Sequence, residues 1–453
     1  MSPEDQSSEF LTGWGRTAPT VARLAEPAGA TEVDATLEDS GARGVIARGL
    51  GRSYGDAAQN GGGTVALMTG MAGIGELDPV SGTVRVQAGA SLDALMRAVV
   101  PHGWFVPVSP GTRQVTVGGA VAADIHGKNH HRDGSFARYV NEIDLVAPSG
   151  RVTLRPDDEA FWATAGGMGL TGIVASVVLR LLPIETATMR VDTDRAGDLD
   201  SAMAMMAEGD AGYRYTVAWI DCLARGAHMG RAVLTRGDHA SLEELSASAR
   251  HDALRFAPAT RLKAPPFVPG GLVNKLTMAA FNEAWFRKAP RHQRGHLESI
   301  QGFFHPLDGV QDWNRMYGPR GFLQYQFAVP FGAEDVVRHT VEVFSSSGTP
   351  SFLAVLKRFG EASGGHLSFP IPGWTLALDM PAGLPGLARL LDGLDERVAA
   401  AGGRVYLAKD SRLRPDMLAA MYPRLDEWRE VQARLDPGGT MQSDLSRRLK
   451  LTK

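Results

Sequence analysis

The sequence predicts an α+β fold in two parts: a unit with glycine loops at its strand ends, then a unit built on one broad, mainly antiparallel sheet. Three observations lead there. Short strand-like and helix-like stretches alternate over the first 185 residues or so, and the stretches in 187–402 are longer and richer in aromatics. Three glycine-rich runs fall at strand ends: "ARGLGRSYGDAAQNGGG" (47–63), "SPGTRQVTVGGAVAADIHGKNHH" (109–131) and "GGMGLTGIV" (166–174). Finally, 453 residues with 44% apolar and 21% charged side chains are enough for more than one full core. The expected division is 1–186, 187–402, and a helical 403–453 that returns to the first unit.

Each element has its own signal. "TVRVQAG" (83–89) alternates apolar and polar residues, the period of a half-buried strand. In "SLDALMRAVVPHG" (91–103), Leu92, Leu95, Met96 and Val99 share one helical face. Ser91 is placed to cap that helix, and Pro101 with Gly103 to end it. "EIDLVAPSGRVTL" (142–154) reads as strand, Pro-Ser-Gly turn, strand. Later strands are expected at 213–222, 321–330, 351–360 and 373–381. Two long connections, 257–272 and 305–321, carry Pro, Gly and aromatics and read as lids or disordered segments.

Composition excludes several function classes. A net charge of −3 gives no electrostatic reason to expect nucleic acid. One cysteine, Cys222, allows neither an internal disulfide nor a cysteine zinc site. The start, "MSPEDQSSEF", has no basic, apolar leader pattern, so no signal peptide is expected. With no apolar run of bilayer-spanning length, the protein is expected to be cytoplasmic or peripherally associated with the membrane or cell envelope.

The first glycine run admits two cofactor readings. "GLGRSYG" is a relative of the dinucleotide fingerprint, which needs a strand before it and a packed helix after it. The strand "GVIA" is there, but "DAAQNGGGTVALM" has no helical stripe. The same glycines suit another purpose, because successive N–H groups without Cβ atoms make an anion-binding concavity. Three such cradles on one unit would hold a long diphosphate ligand. The histidines in "HGKNHH" raise a metal alternative, but the run before them is too glycine-rich for a clear helix and no carboxylate completes a ligand set. No metal is expected.

These runs, with "LTGWGRTAP", "LSFPIPGW" and "AKDSR", resemble the vanillyl-alcohol-oxidase (PCMH) type of FAD-binding flavoprotein, and within it the decaprenylphosphoryl-β-D-ribose 2-oxidase family. The resemblance spans about Leu11 to Leu449. It implies FAD held between two α+β subdomains, beside a separate substrate domain. Such proteins often read G-x-G-H-S in the first loop, with the histidine bonded to the flavin. Here Arg52 stands at that place, so dissociable FAD is expected. By resemblance, FAD contacts come from Arg48, Gly49, Leu50, Gly51, Arg52, Ser53 and Tyr54. Further contacts come from Pro110, Gly111, Thr112, Thr116, Gly118, Gly119, Ala122, His126, Gly127, Asn129 and His130. Gly172, Val174, Tyr406 and Ala408 complete them, the last two expected in one strand with Lys409.

The implied reaction oxidises the ribose 2-hydroxyl of a polyprenylphosphoryl ribose to a keto sugar, the first half of an epimerisation that supplies arabinose for cell-wall arabinan. A short-chain-dehydrogenase-type keto-reductase would complete it. Alditol or aldonolactone oxidation is the alternative within the same fold. Lys409 is the first catalytic candidate, as a cation facing negative charge on the flavin or as a proton acceptor. His126 is a second candidate base. Tyr54 is either a packed ring or a relay hydroxyl. For the substrate, Gln324, Gln326 and Lys357 are expected on one sheet face, with Lys128 beside them. Trp219, Phe304, Phe359 and Trp374 are expected as apolar walls. Thr375 and Ala377 stand where relatives often carry asparagine and cysteine, and both are expected to face the sugar.

Overall fold

The computed structural model describes residues 8–452. A four-stranded sheet opens the chain, in the order Ser8–Leu11, Thr20–Ala25, Thr64–Leu67, Val45–Arg48. The last three are parallel, and the helix Ala30–Glu38 makes the crossover between Thr20–Ala25 and Val45–Arg48. The first glycine run follows Val45–Arg48 and leads straight into Thr64–Leu67 with no helix. Its place is therefore after the crossover helix, which separates it from a dinucleotide βαβ turn.

A second, antiparallel sheet orders Ile74–Asp78, Thr83–Gln87, Ile173–Arg180, Val140–Ala147 and Gly150–Leu154. Against it lies the helix Leu92–Val99, whose Ser91 Oγ accepts from the Ala94 N–H at 3.0 Å. Its apolar stripe is buried, and Gly103 closes it in the left-handed conformation at φ 80°. The second glycine run corrects one expectation, because Val117–Ala122 is a short helix, capped by Thr116. Burial of Val117, Ala120 and Val121 outweighs the low helix propensity of the two glycines. Close approach also requires Gly118, where a Cβ would lie 2.8 Å from that of Ala88.

An eight-stranded sheet carries the rest, in the order His292–Ser299, Thr188–Ala196, Ala232–His239, Tyr215–Ile220, Ala354–Phe359, Gly373–Pro381, Phe322–Pro330, Arg404–Val405. Every pair in it is antiparallel. The two long connections meet each other: Leu262–Lys263 pairs in parallel with Val310–Gln311. Tyr406 and Ala408 are not in a strand. The strand stops at Val405, and a turn follows in which the Lys409 N–H donates to the Tyr406 carbonyl at 2.9 Å.

The C-terminal helices pack back on the first unit. Trp428 Nε1 donates to the Ala163 carbonyl at 2.9 Å, and Arg448 pairs with both Asp56 and Asp410. Among the described residues, no helix is long and apolar enough to cross a membrane.

Candidate active site

A cavity of about 960 Å³ lies between the glycine loops and the eight-stranded sheet. Two backbone ties and one side-chain tie fix its geometry. The Tyr54 N–H donates to the Ala408 carbonyl at 3.0 Å, joining the first loop to the C-terminal turn. The Tyr406 N–H donates to the Gln326 carbonyl at 2.9 Å, joining that turn to the sheet. Asp308 accepts from Thr112 Oγ1 (2.6 Å) and the Arg113 N–H (2.9 Å), joining the second loop to the second long connection.

All three glycine runs reach the wall, through Gly49–Tyr54, through Pro110–Thr112, Thr116, Gly118, Gly119, Ala122 and His126–Lys128, and through Gly172 and Val174. Among the described residues, no N–H of Leu50, Gly51, Arg52 or Ser53 donates to a backbone carbonyl. Four successive N–H groups without a backbone acceptor, on residues that line a cavity, suit a pyrophosphate. Gly51 makes this possible with φ +64°, and a Cβ there would press on Arg48 Nη2 at 2.5 Å. The wall therefore fits a flavin dinucleotide.

Lys128, Lys357 and Lys409 converge on the same space, with Trp219, Phe304, Gln324, Gln326, Ala377, Tyr406 and Ala408. Lys409 Nζ sits 3.6 Å from the centroid of the Tyr54 ring, a cation–π contact. Burial pushes the Lys409 pKa down to about 7, against the opposing pull of Asp379. Burial likewise brings Lys357 and Lys128 down to about 8. Lys128 is held by the Phe303 carbonyl at 2.5 Å and lies 4.2 Å from the centre of that ring.

His126 Nε2 accepts from Gln326 Nε2 at 3.0 Å. Burial, then the neighbouring lysines, push its pKa well below the usual range, so the imidazole is neutral. Burial raises the Tyr54 phenol well above its ordinary value, so it can donate a proton but is not a base near neutrality.

Several expected contacts are corrected. Arg48 lies behind the first loop and braces it, donating to the Ala58 (3.0 Å) and Thr12 (2.8 Å) carbonyls. Asn129 turns away to the Pro107 carbonyl, and His130 packs on Phe359. Phe359 is core, wedged between the His126 and His130 rings. Thr375 is wholly buried and supports the site from behind, its Oγ1 accepting from Gln326 Nε2 at 3.3 Å. Trp374 is also core and donates to Glu334.

Sequence reasoning missed Asp379. It stands opposite Gln324 in the strand register, and one of its oxygens accepts from Gln324 Nε2. Its other oxygen is buried without a partner among the described residues, and burial raises the carboxyl to about 7. The signal was present: an isolated acid in the apolar strand "GWTLALDMP", on the face of Thr375 and Ala377. Trp14 was missed as well; Arg52 stacks on it at 4.0 Å, at the place where a histidine would otherwise reach the flavin.

Proteins of similar sequence show the family. Residues 21–154 match the family described as "FAD binding domain". The chain is 45% identical to the decaprenylphosphoryl-beta-D-ribose oxidase of Mycolicibacterium smegmatis, covering 98% of each chain. It belongs to that family. A Streptomyces coelicolor protein described as uncharacterized is also 45% identical, covering 80% of this chain and all of its own. A Streptomyces alditol oxidase is 26% identical across 98% of this chain and 99% of its own. This member of the oxidase family is accordingly a FAD-dependent oxidoreductase of the PCMH type. Among its cavity residues, Ala377 is nine-tenths buried and brings no thiol to the wall.

Proposed function

We propose that the protein oxidises the ribose 2-hydroxyl of a polyprenylphosphoryl-β-D-ribose, decaprenyl by family, to the 2-keto sugar. One observation carries the reading: three buried lysines, Lys128, Lys357 and Lys409, enter a mostly apolar cavity whose remaining polar side chains include the paired amides Gln324 and Gln326. A phosphodiester, a sugar and a hydrocarbon tail need those three kinds of wall together. The cofactor unit is 1–186 with the returning segment 403–453, from which Lys128 and Lys409 reach the substrate, and the rest of the substrate's wall comes from 187–402.

When bound, FAD supplies the two-electron acceptor for the hydrogen leaving C2. Lys409, as the free amine, takes the hydroxyl proton and is then the cation in that wall. A group with a pKa near 7 does this with little loss in either direction. Gln324 is oriented by Asp379: with its Nε2 committed to the carboxylate, its Oε1 is left to accept from a hydroxyl. Gln326 is fixed in the same way by His126 and Thr375. Lys357 and Lys128 hold the phosphodiester. Arg52, unable to form a histidyl link, leaves FAD dissociable. A reductase of the short-chain-dehydrogenase type would turn the keto sugar into the arabinose epimer.

Anaerobic mixing of the holoprotein with farnesylphosphoryl-β-D-ribose should bleach the visible flavin absorption, and xylitol should leave it unchanged. The opposite pattern would replace this reading with alditol oxidation.

A further inference from the structure

Five of the twelve large apolar residues that are most exposed lie in one stretch: Leu262, Phe267, Leu272, Leu276 and Trp285. Phe267 and Leu276 are 73% and 79% exposed, and the five occupy only 24 residues of the chain. Apolar surface gathered in this way marks a contact site. Within the stretch, the helix Lys275–Lys288 buries Met278 and Asn282 on one side, where Asn282 Nδ2 donates to Asp221 at 2.7 Å. On its opposite side Leu276, Ala280 and Ala284 recur every four residues, all exposed. That is an apolar helical stripe with no protein against it.

Charge is segregated to the same place. Between Arg255 and Gly295 there are eight lysines and arginines and one acid, Glu283, although the chain as a whole is −3. Glu283 is itself neutralised by Arg231 and Arg287. Arg261, Lys263, Lys275, Lys288 and Arg291 are exposed.

The patch frames the opening of the cavity. Trp285 both lines the cavity and is 44% exposed, and Lys288, Ala289 and Pro290 continue that rim. Leu262–Lys263 pairs with Val310–Gln311, whose side chains also line it. Exposed cations interspersed with exposed apolar side chains along one stretch complement the anionic headgroups and outer acyl layer of a bilayer.

We propose that residues 261–291 are a docking surface for an anionic lipid bilayer, set so that the cavity opens onto the membrane. Delivery of a polyprenyl tail rests on the function proposed above; docking itself does not. The binding measurement therefore uses no sugar. Holoprotein is sedimented with phosphatidylglycerol–phosphatidylcholine vesicles and with phosphatidylcholine vesicles. Binding is expected to the first and to weaken with salt.

Neutralising Arg261, Lys263 and Lys275 together to glutamine should reduce that binding about a hundredfold, taking about fivefold for each basic residue. Phe267→Ser with Leu276→Ser should abolish it. Both variants should keep wild-type flavin reduction by farnesylphosphoryl-ribose in solution, which shows that the cavity is intact. Absence of wild-type binding, or equal binding by the variants, would overturn the proposal. So would a concentration-dependent dimer that Phe267→Ser/Leu276→Ser dissolves, since a second copy would then cover the patch. Failure of the sugar to reduce flavin while vesicle binding behaves as expected would count against the proposed substrate and not against docking.

Discussion

Lys409 and Asp379 are two buried groups of opposite sign, each moved by burial toward neutrality, and each favouring the charged form of the other. If the free amine takes the substrate proton, activity rises with pH as Lys409 loses its own, through about 7. Asp379→Asn removes the negative charge that holds the ammonium, so the Lys409 pKa falls and the acid limb of kcat/KM moves to lower pH. A pH–rate profile measured for both proteins checks this. An unmoved limb would leave Asp379 as packing alone, and a limb moved upward would contradict the sign of the coupling. Lys409 was legible in "AKDSR" because the motif resembles a known family. Asp379 was not, because its importance comes from a register partner 55 positions away in the chain. Phe359 and Thr375 were misread for the related reason that alternation fixes which face a side chain takes. It does not fix whether a neighbour, here His126 or Gln326, stands between that side chain and the cavity.

At the scale of elements, the glycine loops are where sequence and structure correspond most directly. Gly51 is required twice, by its positive φ and by the guanidinium packed against it. Gly51→Ala should cost about 1–2 kcal/mol of local strain. It should also displace the donor row of Leu50–Ser53, lowering FAD affinity by about tenfold, the equivalent of about 1.4 kcal/mol. Gly62 is the control, since its φ is also positive at +72° but it lies outside the cavity wall. Gly62→Ala should lower stability and leave FAD affinity unchanged, as measured by flavin-fluorescence titration of apoprotein. Equal loss of affinity in both variants would mean that backbone strain, and not the donor row, is being read. The strand Thr83–Gln87 and the helix after Ser91 were legible from periodicity alone. The helix Val117–Ala122 and the pairing of Leu262–Lys263 with Val310–Gln311 were not, because burial and a partner distant in sequence decide them.

Across the whole molecule, the cavity wall is assembled from segments that no single local signal connects: the loops near 50, 110–128 and 170, the eight-stranded sheet, and the turn 406–409. The C-terminal helices make this assembly possible by returning to the first sheet, where the Val45 N–H donates to the Thr440 carbonyl at 2.9 Å and the Gly61 N–H to Asp444 at 2.9 Å. A ligand spanning that wall binds only the assembled state, so its binding free energy adds to folding stability. FAD at a hundredfold excess over its Kd supplies about 2.7 kcal/mol. In a chain of this size, that is a rise in Tm on the order of 3 °C. Acid precipitation should release the flavin, because Arg52 cannot hold it covalently. Apoprotein prepared under milder conditions should melt lower than holoprotein and recover the difference as FAD is added back. If the melting temperature did not respond to FAD, the cavity would not be where the flavin binds. If flavin stayed with the acid-denatured chain, a covalent link would have formed somewhere other than position 52.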